Sequence, residues 1–121
     1  MNKVFEKRLN ALLAQGVAGV LRGGRRGLEK ESLRVGPDGG LSSRAHPEAL
    51  GSALTNQYIT TDFSEALLEF VTPAFENSSD TLRCLHDIHR FTYANLDDEL
   101  LWVASMPCLL APDEAVPLAR Y

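Results

Sequence analysis

Residues 27–35 read Gly-Leu-Glu-Lys-Glu-Ser-Leu-Arg-Val, and this stretch predicts a β-strand. Side chains alternate between the two faces of a strand, so Glu29 and Glu31 share one face with Leu33 and Val35. Two carboxylates roughly 6 to 7 Å apart repel by about 2 kcal/mol on a partly dry sheet surface. A solvated edge strand would tolerate this pair, since glutamate is mostly an exposed residue. The alternative is a magnesium site, because Mg²⁺ prefers hard oxygen ligands.

A second acidic stretch, residues 59–73, reads Ile-Thr-Thr-Asp-Phe-Ser-Glu-Ala-Leu-Leu-Glu-Phe-Val-Thr-Pro. As a helix it would place Asp62, Glu65 and Glu69 along one side. We favour a strand over residues 66–72, because Phe, Val and Thr are strand formers and the proline closes the run. Glu69 then shares a face with leucine and valine, so both strands are expected to direct carboxylates into the interior. Unpaired buried acids are costly, and a bound metal ion would explain them in both strands.

Length and composition indicate one ordinary globular unit. The 121 residues are 45% hydrophobic and 23% charged, which suits a chain that buries about two thirds of its unfolded surface. The net charge of −4 argues against a nucleic acid partner, since phosphate-binding surfaces are usually basic. The sequence contains no recognisable membrane span or signal peptide, so we expect no membrane association and a cytoplasmic location. Cys84 and Cys108 are expected to be free thiols.

The remaining patterns predict an α+β fold, with an antiparallel sheet and packed helices. An apolar stripe over residues 4–13 predicts an N-terminal helix. The glycine-rich segment 22–27 is interpreted as a flexible connector. The turn signal Gly-Pro-Asp-Gly-Gly at residues 36–40 predicts a hairpin, with residues 41–44 as its return strand. A short helix is expected within residues 45–54.

A second long helix is predicted to begin at about residue 78, with Ser78 or Ser79 as its cap. The side expected to face the core carries Leu82, Leu85, His89, Thr92 and Leu96, with Ile88 beside them. His86 and His89 have a spacing that can bind zinc, but no further ligand follows, so His89 is expected to pack against the sheet. The acidic cluster at residues 97–99 is expected to be a solvated surface.

Four blocks in this order resemble the N-terminal region of the proteobacterial type of glutamate-cysteine ligase. They are residues 26–35, 46–55, 59–73 and 105–108, and the resemblance extends over residues 24–121. It implies part of a glutamine-synthetase-like catalytic fold, in which an antiparallel sheet forms an acid-lined trough for ATP and magnesium. Because the family is much longer, the chain is expected to be an N-terminal portion of one catalytic domain, with residues 1–23 as a helix and loop of no family specificity.

The resemblance also implies site residues and a reaction. Glu29, Glu31, Asp62 and Glu69 match acidic positions that hold Mg²⁺, and Phe63 matches a residue near the cysteine substrate. ATP would phosphorylate the side-chain carboxylate of glutamate, and the cysteine amine would then displace phosphate to form the γ-peptide bond. This is the first step of glutathione biosynthesis, with glutamate, cysteine and ATP as small-molecule substrates. It needs no nucleophile from the enzyme, so no catalytic side chain is assigned.

Two other functions fit the same residues. A different ATP-dependent carboxylate-amine ligase of the same fold would share the acidic pattern and use another amine. A non-catalytic α+β interaction domain would carry its acids as solvated side chains. A chain that ends inside the trough is expected to be inactive alone. It would also expose strand edges, so self-association is expected, which sedimentation would detect.

Overall fold

The computed structural model describes residues 2–20, 22–110 and 116–120, apart from the side chain of Ala18. Within these residues the elements are α1 (Lys3–Ala14), β1 (Glu29–Val35), β2 (Ile59–Thr61), β3 (Leu67–Val71), α2 (Ser78–Tyr93) and β4 (Leu100–Leu101). The strands form one sheet in the order β2-β3-β1-β4, and all three pairings are antiparallel. The predicted α+β class with an antiparallel sheet is therefore confirmed.

The core lies between α2 and one face of the sheet. On β3, Leu68 and Phe70 are fully buried, and burying such a side chain contributes about 1.5–3 kcal/mol. His89 of α2 meets the Phe70 ring edge-on, with ring centroids 4.8 Å apart, so the prediction that His89 packs against the sheet is confirmed. The cluster of buried residues consists of Leu50, Ile59, Leu68, Phe70, Ile88, Leu96 and Leu101.

The two faces of the sheet differ in polarity, as the alternation along β1 and β3 predicts. However, the expectation that the carboxylates point into the interior is wrong. Glu29 and Glu31 are exposed and Glu69 is half-buried, because α2 covers the opposite face. The core-facing positions of β1 instead carry polar residues, and both Ser32 and Arg34 are buried.

The hairpin after β1 forms its turn but not its return strand. The Gly36 N–H donates to the Gly40 carbonyl at 2.9 Å, and Gly39 has a φ of 82°, a left-handed conformation that favours glycine. Leu41 then makes a single bridge to Val35 instead of the predicted four-residue strand. The reason is that β3 already pairs along the same edge of β1, over Glu29 to Leu33.

The helices are close to their predicted positions, but of the two α-helices described, α2 packs against the sheet and α1 does not. None of the described residues of α1 is buried, and its apolar stripe is exposed to solvent. The short helix expected within residues 45–54 is a 3₁₀ turn over Glu48–Leu50, preceded by Pro47. Cys84 and Cys108 are free thiols, as predicted.

Asn77 caps α2, so the prediction of Ser78 or Ser79 is wrong. The Asn77 side chain accepts a hydrogen bond from the Ser79 N–H at 2.9 Å. Leu82, expected on the core side of this helix, is 59% exposed, so that prediction is wrong. Ile88 and Thr92 are buried as predicted.

The corrected cap gives a testable difference between two neighbouring residues. Asn77→Ala is expected to lower the free energy of unfolding by about 1 kcal/mol, because a backbone N–H at the helix start loses its acceptor. Ser78→Ala is the matched control and should have a smaller effect. Urea unfolding followed by circular dichroism measures both, and equal losses in the two variants would contradict the assignment.

Candidate metal site on the acidic face

Strand register brings the predicted carboxylates of two strands together. Glu31 of β1 is directly opposite Glu69 of β3, and Thr60 of β2 is opposite Glu69 on its other side. Directly opposed residues of antiparallel strands have Cβ atoms about 4.5–5.5 Å apart and lie on the same face. Glu29, two residues from Glu31 on the same strand, lies on this face as well.

Asp62 joins this face from the end of β2. Its N–H donates to the Leu67 carbonyl at 3.1 Å, which continues the β2–β3 pairing by one residue. Since Asp62 follows Thr60 by two positions, its side chain is on the side of Glu69. We call the surface formed by Glu29, Glu31, Asp62 and Glu69 the acidic face.

Negative charge accumulates around Glu69. Partial burial raises the pKa of Glu69 above its ordinary value, and the negative charges of Glu29, Asp62 and Glu31 raise it further. Within residues 2–20, 22–110 and 116–120, no ion pair reaches Glu29, Glu31 or Glu69. A divalent cation at this face would therefore relieve repulsion that exists without it.

The donor set suits magnesium, since all four side chains offer hard carboxylate oxygens. Among the described residues, however, no three side chains of the types that bind metals are placed as ligands of one ion. The carboxylates thus line one face without closing around one point. The metal site at Glu29, Glu31, Asp62 and Glu69 stays a prediction.

Phe63 lies beside the acidic face, in the connection between β2 and β3. Its side chain is 73% exposed, which is unusual for phenylalanine and leaves the ring free for contact with another molecule. The Phe63 carbonyl accepts a hydrogen bond from the Ala119 N–H at 3.2 Å. The structure therefore places the predicted substrate-binding residue next to the predicted metal ligand Asp62.

A buried ion pair supports the sheet beneath this region. Arg34 Nη1 donates to both carboxylate oxygens of Glu99, at 3.0 and 2.8 Å. The Ser42 hydroxyl donates to Glu99 Oε1. Arg34 Nη2 donates to the carbonyls of Arg44 at 2.7 Å and Glu65 at 3.0 Å. Glu99 is only 5% exposed, so the expectation that residues 97–99 are a solvated surface is wrong at this position.

Glu65 is a second buried acid, which sequence periodicity alone does not distinguish from Asp62 and Glu69. Its carboxylate accepts hydrogen bonds from the backbone N–H groups of His46, at 2.9 Å, and Arg120, at 2.7 Å. Burial opposes its ionisation, but these two donors hold the pKa of Glu65 below its ordinary value. Glu65 is therefore an ionised structural carboxylate away from the acidic face.

Carboxylates on the open face of a sheet offer the oxygen ligands with which enzymes hold Mg²⁺ against phosphate groups. Sequence comparison identifies which group of such enzymes is related to this chain. The family model described as glutamate-cysteine ligase matches residues 9–121. The chain belongs to the glutamate-cysteine ligase family, as the four sequence blocks predicted.

Individual relatives agree with the family match. The glutamate-cysteine ligase of Alcanivorax borkumensis is 52% identical over 119 residues, covering 98% of this chain and 23% of the relative. That of Azotobacter vinelandii is 51% identical over 121 residues, covering 100% of this chain and 23% of the relative. The chain thus spans 23% of the length of these curated relatives. No described helix is both long and apolar enough to cross a membrane.

Solved structures confirm the fold. Glutamate-cysteine ligase from Francisella tularensis, determined in complex with AMP, matches with a TM-score of 0.72 and 38% identity, over 74% of this chain and 18% of that one. A bifunctional glutathione synthetase from Pasteurella multocida matches with a TM-score of 0.79 and 36% identity, over 90% of this chain and 15% of that one. The sheet is therefore part of the catalytic fold that the sequence resemblance implied.

Proposed function

We propose that this chain supplies the magnesium-binding acidic face of a glutamate-cysteine ligase, the enzyme of the first step of glutathione biosynthesis. The observation that carries the proposal is the register that sets Glu31 opposite Glu69, with Glu29 and Asp62 adding charge at the same place. A bound divalent cation would neutralise this concentrated negative charge. Family membership suggests the reaction in which that cation takes part.

Each group on the acidic face has a positioning task in this reaction. Glu29, Glu31 and Glu69 are on paired strands, whose hydrogen bonds hold the carboxylates at fixed separation. Asp62 and Phe63 approach from the β2–β3 connection, where the exposed Phe63 ring offers an apolar contact for the cysteine substrate. Bound Mg²⁺ would supply neutralisation of the phosphate oxygens of ATP as the phosphoryl group moves to the glutamate carboxylate.

The other site groups are proposed to come from a longer polypeptide. The chain spans 23% of its relatives, and the acidic face is open on the side away from α2. The AMP in the Francisella tularensis structure supports an adenine nucleotide as one substrate class of the complete enzyme. We therefore expect no turnover by the 121 residues alone, and glutamate- and cysteine-dependent ADP release by this chain would contradict that expectation.

A chimera tests the function directly. The chain replaces the matching region of the Alcanivorax borkumensis relative, and ADP formation is measured with glutamate and cysteine. Glu31→Gln and Glu69→Gln are each expected to lower turnover about 100-fold or more, since a lost metal ligand removes several kcal/mol of transition-state stabilisation. Glu48→Gln, which removes an exposed acid away from the acidic face, is the matched control and should keep full activity.

The same chimera separates the rival functions. Replacing cysteine with other amino acids identifies a ligase that uses a different amine, because ADP release would then follow the other amine. A non-catalytic interaction domain would give a chimera without cysteine-dependent turnover, and the Glu69→Gln change would leave the magnesium affinity of the chain unaltered.

A further inference from the structure

The connection between β2 and β3 carries Asp62 and Phe63, so its shape decides where both side chains lie. The turn is closed at its base by the Asp62 N–H bond to the Leu67 carbonyl at 3.1 Å, and by the Leu67 N–H bond to the Ser64 carbonyl at 2.9 Å. Phe63 projects from the turn into solvent. Preorganised placement of an exposed ring requires support from residues behind it.

Glu65 forms hydrogen bonds from this turn to four residues in three other segments. Its carboxylate accepts from the backbone N–H groups of His46 at 2.9 Å and Arg120 at 2.7 Å. Its own N–H donates to the Pro117 carbonyl at 2.9 Å, and its carbonyl accepts from Arg34 Nη2 at 3.0 Å. The residue is 6% exposed, so water competes little with these bonds.

The segment 117–120 lies alongside the turn because of these bonds. The Ala119 N–H donates to the Phe63 carbonyl at 3.2 Å, and Ser64 forms a bridge with Leu118. The Glu65 carboxylate holds the end of this segment at Arg120 and the segment before the 3₁₀ turn at His46. One buried side chain therefore joins two segments of chain to the back of the turn.

We propose that Glu65 is a positioning residue, which fixes Asp62 and Phe63 for the ligase reaction without touching metal or substrate. The inference rests on the proposed function. Each carboxylate oxygen accepts a backbone N–H and the residue is 6% exposed, so Glu65 is poorly accessible as a fifth ligand of the acidic face. Groups that orient ligands in this way are commonly worth ten- to a hundredfold in affinity or activity, by order of magnitude.

Glu65→Gln is the first test, because it keeps the size of the side chain and removes one acceptor. The amide nitrogen would face a backbone N–H, so one of the two bonds becomes a contact between donors. In the chimera the KM for cysteine is expected to rise about tenfold, with a smaller change in kcat and in the KM for ATP. Glu48→Gln is again the control of equal charge change and should leave the three constants unaltered.

Arg120→Pro is the second test and leaves Glu65 intact. Proline has no backbone N–H and restricts the backbone at its own and the preceding position, so this variant deletes the donor to Glu65 Oε2 while leaving the carboxylate in place. Arg120→Ala is its matched control, since it removes the side chain and retains the N–H. We expect the KM for cysteine to rise in the proline variant and to stay unchanged in the alanine variant.

The outcomes separate this inference from the proposed function. An unchanged KM for cysteine in folded Glu65→Gln and Arg120→Pro chimeras would overturn the positioning role, and if the first does not fold, the second decides. Glu69→Gln is measured beside them. If it keeps full activity, the proposed function itself fails, whatever Glu65 does.

Discussion

Replacing Arg34 with methionine is expected to lower the free energy of unfolding by about 3–5 kcal/mol, the usual cost of removing one partner from a buried ion pair. Methionine leaves the Glu99 carboxylate buried, with the Ser42 hydroxyl still donating to it. The carbonyls of Arg44 and Glu65 lose their donor as well. Urea unfolding of the 121-residue chain, followed by circular dichroism, measures the loss.

The chain offers a matched control on its surface. Arg44 pairs with Asp98 at 2.6 Å, but these side chains are 54% and 57% exposed, and exposed pairs contribute little. Arg44→Met is therefore expected to have a far smaller effect than Arg34→Met. An equal loss in both variants would contradict a stabilising role for the buried pair.

A double variant separates the attraction lost with Arg34 from the cost of leaving the Glu99 carboxylate buried without its partner. Arg34→Met combined with Glu99→Leu should regain part of the stability, because apolar replacement of a buried pair is often neutral. Recovery should be incomplete, since the Arg44 and Glu65 carbonyls still lack a donor. A double variant less stable than Arg34→Met alone would argue against this account.

The acidic face could be predicted from the sequence because strand alternation is local. Two glutamates two residues apart must share a face of β1, and the same rule separates Glu69 from its neighbours on β3. The register that sets Glu31 opposite Glu69 is different, since it depends on pairing between distant segments. In this case the resemblance to a family carried information that periodicity lacks.

The direction of that face could not be derived from alternation. Which side becomes the interior depends on where α2 packs, and α2 covers the Phe70 side. Alternation does place Arg34 on the face opposite to Glu29 and Glu31, but it does not show that this face is the interior. A buried arginine requires an acidic partner, but the partner is 65 positions away, in a cluster that helix-end electrostatics alone assigned to solvent.

The N-terminal helix illustrates the same limit. Its apolar period predicts α1 correctly, because a period near 3.6 residues is a property of the segment itself. It does not identify what the stripe packs against, and in this structure Phe5 is 59% exposed.

Glu65 likewise belongs to an acidic series with Asp62 and Glu69 in the sequence, and only the bonds to His46 and Arg120 reveal its separate role.

Glu69→Gln is expected to stabilise the metal-free chain and to destabilise it relative to wild type when Mg²⁺ saturates the acidic face. Without a divalent ion, like charges directly opposite each other on a sheet are unfavourable by about 0.2–1 kcal/mol. The negative charges of Glu29, Asp62 and Glu31 all repel the Glu69 carboxylate and contribute to the rise in its pKa. Removing this charge should therefore raise the free energy of unfolding in the presence of a chelator.

Mg²⁺ is expected to reverse the order of stability of wild type and Glu69→Gln, because the ion stabilises only the folded chain. At a hundredfold excess over Kd the wild type gains about 2.7 kcal/mol. A tenfold weaker site in Glu69→Gln would gain about 1.4 kcal/mol less, which exceeds the repulsion that the variant relieves. Urea unfolding with chelator and with Mg²⁺ measures both terms, and Mn²⁺ titration followed by electron paramagnetic resonance reports the affinity independently.

The change of sign distinguishes a metal site from a merely solvated acidic surface. A solvated surface also gains stability when one of four like charges is removed, but its gain would persist at all magnesium concentrations apart from general screening by salt. Glu48→Gln, with Na⁺ at matched ionic strength, accounts for that screening. If wild type and Glu69→Gln keep the same order of stability with and without Mg²⁺, the acidic face binds no cation. That result would contradict the proposed magnesium-dependent ligase mechanism.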